Sequence, residues 1–482
     1  MHVRDYYRNP DVVSRVTEFL GGFSVEEATC VYLSRSDHVL YSNLQLKTPT
    51  QLPYYLDQGV DLARSLWDRR SLIVDLDIEY VNFDFPAEPY LDLERTFSLQ
   101  QPVVLAVQKV LLRSGIAPLH VMGGRGHHFL WRLPRETQAF KTLVPLGRLS
   151  RPTRMLYARP HPPTGETVPE DTAHAFAGLG LVIEYLVHLI KAETAGQCEI
   201  PVEVTAVEVA PGLRGREMIS IDISAFGDPL FTRMVRIPFS AYRKPWEQGL
   251  ATTPGLTGRI PPLFFIPLHE MRVHEGLRVM QDAEQVAELA QRASVQIPDQ
   301  AQGTNHLVNS YRGSDLKRFH DWFYSQEHDP VETWPDTYDR TPLEAYPCCA
   351  RQVLQDPNDR LLKPAYLRLV THVMMALGWH PRHISGLIRS KYEREFGWIP
   401  PWVEYDTGLR SDFYTRLFSG LFCTGLDQVE DFARTNGHRP FICDSGEGGS
   451  LAEIRKSLIF RKNHDQLACR PFNRLLLPDE HF

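Results

Sequence analysis

The sequence predicts an α+β protein in which mixed β-sheets flanked by helices are followed by a mainly α-helical C-terminal domain. Three observations carry this. Strand and helix patterns run to about residue 250 in the order strand, helix, strands, helix, strands. The composition then shifts, and residues 296–346 are rich in polar and turn-forming residues, TWPDTYDRTPLEAYP among them. From residue 350 onward the pattern is mainly helical. These shifts give a first domain over 1–290, a connector over 291–345 and a helical domain over 346–482.

Each element has its own signal. Residues 10–22, PDVVSRVTEFLGG, set Val12, Val13, Val16, Phe19 and Leu20 at helical spacing, with Asn9 or Asp11 at the start and glycines at the end. TCVYLSR and SLIVDLDIEYVNF follow as strands, and QPVVLAVQKVLLRSGI, 101–116, is a helix stopped by Gly115. LHVMGGRGHHFLWRLP, 119–134, is a strand, a glycine turn and a second strand. A helix over about 172–192 leads to strand candidates in VEVTAVEVAP, REMISIDISAFGD and FTRMVRIPFS. AELAQRASVQ, LLKPAYLRLVTHVMMALGW and HPRHISGLIRSKYEREFGW supply later helices.

Composition narrows the class. With 482 residues, 43% hydrophobic and 23% charged, the chain is long enough for two to four domains with ordinary cores. MHVRDYYRNP has no apolar stretch behind its charges, so no secretory signal is expected. The longest apolar run, LGLVIEYLVHLI at 179–190, is too short to cross a bilayer and is interrupted by Glu184 and His188. A buried helix, a cytoplasmic location and no membrane partner are expected. The net charge of −7 argues against a protein that coats nucleic acid nonspecifically. Two local stretches reverse that sign: GRLSRPTRMLYARPH, 147–161, with Arg148, Arg151, Arg154 and Arg159 and no acid, and RMVRIPFSAYRK, 233–244.

The chemistry gathers on three short motifs. In LIVDLDIEY, strand alternation puts Asp75, Asp77 and Glu79 on one face and Val74, Leu76 and Ile78 on the other. Carboxylates about 6 to 7 Å apart at their α-carbons repel one another when shielded from water, unless one takes a proton or a cation intervenes. Magnesium and manganese suit such oxygen ligands. GGRGHHFLW offers backbone amides, Arg125 for bidentate phosphate pairing and two adjacent histidines, of which only one, His128, shares a face with Leu130 and Arg132. Its glycine spacing is neither that of a Walker A loop nor that of the dinucleotide fingerprint. In SIDISAFGDPLFTRMVRIPFSAYRKP, Asp222 could add a third carboxylate, and Arg236, Ser240, Tyr242 and Lys244 offer donors to phosphate.

In combination these motifs resemble those of the archaeo-eukaryotic primase superfamily, the primase-polymerases. Asp75 and Asp77 match its acidic strand, Gly126, His127 and His128 its small-x-His motif, and Asp222 its third acid, while MVRIPFSAYRK resembles a downstream segment that carries Arg236 and Lys244 as phosphate contacts. The resemblance covers roughly residues 10–250 and implies a primase-polymerase catalytic domain. It departs in having Met122 where a serine often opens the Gly-Arg turn, in lacking a cysteine-rich zinc knuckle, and in offering Asp228 as a rival to Asp222. The implied activity is template-dependent nucleotidyl transfer from nucleoside triphosphates, starting and extending primers on single-stranded DNA. Magnesium or manganese ions on Asp75, Asp77 and Asp222 would assist, with Arg125, Gly126, His128, Arg236, Ser240 and Lys244 at the nucleotide. A helicase or other replication protein is the further partner implied.

Of seven cysteines, five lie after residue 340, and none forms a CxxC pair. Their dispersal after a Pro-Cys step resembles the C-terminal domain of the primase large subunit, which implies an iron–sulfur cluster on Cys349 (or Cys348), Cys423, Cys443 and Cys469. Small buried cysteines in a helical domain are the plainer alternative. Two other classes compete for the whole chain. A HUH-type nicking initiator needs two histidines on one strand face, which adjacent His127 and His128 do not give, and a noncatalytic single-strand binder does not need three aligned carboxylates.

Overall fold

The computed structural model describes residues 3–35, 46–346, 348–355, 361, 363–393 and 406–427. The chain forms two compact units, residues 1–205 with 212–310, and residues 206–211 with the chain from 311 onward. The first is mixed α+β and the second is helical among its described residues.

Nine strands lie in the first unit: β1 (Leu33–Arg35), β2 (Leu62–Ser65), β3 (Ser71–Asn82), β4 (Leu119–Gly123), β5 (Gly126–Pro134), β6 (Val202–Val204), β7 (Glu217–Asp222), β8 (Met234–Arg236) and β9 (Ile266–Pro267). They form a three-stranded sheet in the order β1-β2-β8 and a six-stranded sheet in the order β6-β7-β3-β5-β4-β9. Only β6 and β7 run parallel, so the larger sheet is mixed. β3 sits at its centre because it alternates: Val74, Leu76, Ile78 and Tyr80 are fully buried on one face, while Asp75, Asp77 and Glu79 stay partly accessible on the other. Each of those aliphatic side chains contributes about 1.5–3 kcal/mol by burial.

Helices surround the sheets, and those over 93–113 and 170–194 cover the apolar face of β3. Helix α1 (Pro10–Phe19) starts at Asn9, whose side chain accepts from the amides of Asp11 and Val12. Helix α2 (Leu93–Arg113) begins eight residues before the expected start at residue 101, because Asp92 caps it and Pro102 is accommodated inside it. Phe97 on α2 packs edge-on against His127, with ring centroids 5.0 Å apart. A short helix, α3 (Arg151–Tyr157), and the long apolar α4 (Glu170–Thr194) follow, and α4 packs on α2 and β3. Helix α4 is the one described helix long and apolar enough to cross a membrane, and most of it is buried inside the protein.

Several expected strands are shorter than their apolar patterns. The run 202–211 keeps only β6, since Thr205 takes a φ of 59° and leaves the extended conformation. The run 231–240 keeps only β8, which ends before Pro238 and the left-handed Phe239, φ 65°.

In the second unit, α5 (Asp315–Phe323), α6 (Pro364–Ala376), α7 (Pro381–Tyr392) and α8 (Thr407–Cys423) pack on one another. Phe319, Phe323, Phe413 and Leu417 are fully buried among them. The stretch 291–345 contains the boundary between the two units, after Ser310, and is itself structured. It contributes α5 and a run of tight turns in which Trp334 and Tyr338 are buried, the Trp334 indole donating to Asp329 O at 2.9 Å. Its polar composition reflects the surface of packed helices and turns.

Candidate active site

A cavity lies between the two sheets of the first unit. The large sheet supplies Asp75, Asp77 and Glu79 from β3, His128 from β5 and Asp222 from β7; the small sheet supplies Ala63, Met234, Val235 and Arg236, and Lys244 closes the rim. Register explains the convergence. Asp77 is the cross-strand partner of both His128 and Asp222, so the three residues form one row across β7, β3 and β5 on the same face. His127 is paired with Ile78 and therefore points behind the sheet.

The acids are not equivalent. Asp75 contacts His128 Nδ1 at 3.0 Å. Asp77 Oδ1 is buried without a hydrogen-bond partner, the nearest cation being His128 Nε2 at 3.7 Å. Burial pushes the Asp77 carboxyl well above the usual carboxylate range; His128 opposes this, and Glu79, Asp75 and Asp222 reinforce it. Glu79 goes the other way. Burial alone would raise it, but Arg125, Lys244 and Arg236 together hold it well below that range, and Arg125 Nη2 donates to it at 2.6 Å. Asp222 bends back on itself, accepting from the Ser224 amide at 2.8 Å.

The basic groups are spread across the site. His128 is pulled up to about 9: burial lowers it, but Asp77 and Asp75 outweigh burial. Lys244 is lowered to about 8 by Arg125 and then by burial, and its ammonium makes no hydrogen bond or ion pair with a described residue. Arg236 pairs with Asp61 at 3.1 Å and lies over the Tyr242 ring at 4.9 Å.

Some expected site residues have other surroundings. Arg125 is engaged by Glu79, so any phosphate must compete for its guanidinium. Gly126 is needed by the sheet itself, because a Cβ there would lie 2.0 Å from Ile78 O, while Gly124 carries the hairpin turn with a φ of 60°. Ser240, expected at the nucleotide, is fully buried in the turn after β8 and does not line the cavity. Asp228, the rival third acid, is buried in an ion pair with Arg233, whereas Asp222 faces the cavity. Asp61, which holds Arg236, went unnoticed in the sequence, as did Ser34, Arg35 and Ser224 on the cavity wall.

The donor set fits a hard divalent cation. Asp75, Asp77 and Asp222 offer carboxylate oxygens on one face, and the unpartnered Asp77 Oδ1 is an acceptor that the fold leaves incomplete. Among the described residues, no three acidic, histidine or cysteine side chains are drawn together to hold an ion as they stand, and the His128 ring sits between Asp75 and Asp77. Of the expected cluster ligands, Cys423 is buried at the end of α8; Cys443, Cys469 and the side chains of Cys348 and Cys349 lie outside the described residues. No family model, curated protein or solved structure matches this chain.

Proposed function

We propose that this chain is a metal-assisted nucleotidyltransferase of the primase-polymerase kind, joining nucleoside triphosphates on a single-stranded template. One observation carries the reading: Asp75, Asp77 and Asp222 face a single cavity, with a buried oxygen on Asp77 that has no partner among the described residues, and the cations Arg236 and Lys244 line the same cavity. Acids and cations lining one cavity suit a ligand that brings both metal and phosphate. Hydrolytic chemistry on a neutral substrate would not need the cations.

Asp75, Asp77 and Asp222 would hold magnesium or manganese, which when bound neutralises phosphate charge and favours ionisation of the attacking hydroxyl. The chain's own residues do the rest. Lys244 and Arg236 receive the negative charge of the triphosphate, and Arg125, which does not line the cavity itself, acts by holding Glu79 on its wall. His128, held protonated by Asp75 and Asp77, serves as the internal counter-ion of the acidic row. In the transfer, a 3'-oxygen bonds to the α-phosphorus, the bridging bond to the β-phosphate breaks and pyrophosphate leaves.

The test is incubation of the full-length protein with unprimed single-stranded template, labelled nucleotides and magnesium or manganese. Template-dependent products are expected from the wild type and none from the Asp75→Asn/Asp77→Asn double variant. Synthesis retained by a folded double variant would remove this reading. The nicking alternative lacks its second histidine on the acidic face, since His127 contacts His120 behind the sheet at 2.9 Å.

A further inference from the structure

Four arginines around α3 play no part in the site described so far. Residues 137–165 contain Lys141, Arg148, Arg151, Arg154 and Arg159 and no acidic residue, in a chain whose net charge is −7. All four arginines are exposed, and none makes an ion pair or side-chain hydrogen bond with a described residue. Other arginines of this unit are neutralised where an acid lies near, as in Arg69–Glu166 at 2.7 Å, Arg135–Asp171 at 2.8 Å and Arg216–Asp84 at 2.7 Å, while Arg70, Arg259, Arg272, Arg278 and Arg292 are exposed and scattered along the chain rather than gathered around one short helix. Of the three acids that follow the stretch, Glu166 and Asp171 are already occupied by Arg69 and Arg135, and Glu170 is exposed.

The helix presents these charges rigidly. Thr153 and Tyr157 are buried on one side of α3, which leaves Arg151, Arg154 and Met155 on the other at helical spacing. Ser150 caps the start, accepting from the Thr153 amide at 3.2 Å. The Tyr157 hydroxyl accepts from the Leu230 amide at 3.0 Å, and the His161 ring stacks on Phe231 at 3.8 Å. That same segment runs on into Arg233, Met234 and Val235, which line the cavity. The arginine surface is therefore fixed to the backbone that builds the cavity wall.

We infer that the arginine surface of α3 and its flanks, Arg148, Arg151, Arg154 and Arg159, binds the phosphate backbone of a single-stranded nucleic acid and leads it to the cavity. The inference rests on the nucleotidyl-transfer reading for its choice of partner. Charge complementarity favours a polyanion, and Met155 is the one large apolar side chain exposed on this face, so the face has little to insert into a lipid surface. Contacts to phosphate alone are independent of base sequence, as a template track must be.

The experiment is fluorescence anisotropy of full-length protein with a labelled oligothymidylate over a salt series, comparing wild type with the Arg148→Gln/Arg151→Gln/Arg154→Gln/Arg159→Gln variant. Each lost phosphate contact takes about 0.7 from the slope of log affinity against log salt, so the fourfold variant should be shallower by about 2.8. Between about 50 and 200 mM salt, the wild type should lose about 50-fold more affinity than the variant. A slope change below about 1 in a variant with unaltered circular dichroism would overturn the inference. Should the fourfold variant misfold, the single variants Arg151→Gln and Arg154→Gln must each remove about 0.7, and unchanged slopes would overturn it equally. Arginine-dependent binding to phosphatidylserine vesicles, with none to the oligonucleotide, would assign the surface to a membrane instead. Arginine-dependent oligonucleotide binding without nucleotide transfer would sink the functional reading and leave this surface standing; transfer with an unchanged slope would do the reverse.

Discussion

Asp77 in the sheet unit and Asp412 in the helical unit are both mostly buried aspartates, each still partly accessible, and the fold treats them oppositely. Asp412 contacts His328 Nε2 at 2.8 Å, accepts from Ser385 Oγ at 2.6 Å and pairs with Arg382 at 2.6 Å. Burial alone would raise its carboxyl, but His328 and Arg382 hold it well below the usual range. Asp77 has an oxygen with no partner and a carboxyl pushed upward by burial and by three neighbouring acids. A carboxylate that serves structure is completed by the chain. One left incomplete beside a cavity is, on the nucleotidyl-transfer proposal, the acceptor that a bound cation would complete.

The sharpest way to break that contrast is to neutralise each acid. Asp77→Asn should cut nucleotide transfer by about a thousandfold or more, the effect of losing several kcal/mol of charge stabilisation, while leaving the melting temperature unchanged or higher. Transfer assays beside thermal unfolding decide it; a large loss of stability would make Asp77 structural. Asp412→Ala should do the opposite in unfolding experiments, costing about 3–5 kcal/mol because Arg382 and His328 lose their common partner. A cost below about 1 kcal/mol would undo the comparison.

A third test uses the histidines behind the sheet. His120 is lowered to about 4 by burial and then by His128, so the unfolded chain binds its proton first. Stability should therefore fall as pH drops from about 6.5, the unfolded value, and this contribution should level off near 4. Denaturant unfolding across that range should show a shallower pH dependence in His120→Gln, and an unchanged profile would mean that other groups account for it. The smallest effect is expected at Ser240. Its buried hydroxyl has no hydrogen-bond partner and does not reach the cavity, so Ser240→Ala should alter stability by less than about 1 kcal/mol and leave transfer within about twofold. A marked rise in the Michaelis constant for nucleotide would return Ser240 to the site.

The acidic strand was legible because its signal is local. Period-two alternation in LIVDLDIEY fixes which side chains share a face, and the same rule separates His128 from His127. The wall opposite was far less legible. Strand β2 has a fully buried Arg64, satisfied by Asp68 at 2.7 Å, so it lacks the apolar alternation that marks a strand. Asp61 reads as an ordinary loop acid until the fold sets it against Arg236, 175 residues away. The stretch expected as a connector, 291–345, does contain the boundary between the two units, after Ser310, but its polar turns hide their packing, and nothing local reveals that Trp334 and Tyr338 are buried.

By itself, then, the sequence determined the mixed α+β character of the first unit, the helical character of the second, the common face of Asp75, Asp77 and Glu79, and the placing of His128 on that side. These depend on backbone periodicity, which a short stretch of chain encodes. Tertiary structure alone decided that Asp222 rather than Asp228 faces the cavity, that Arg125 is held by Glu79, and that Ser240 is buried. Those outcomes depend on which distant charges share a low-dielectric space, and strand pairing brings such charges together only once the whole sheet has formed.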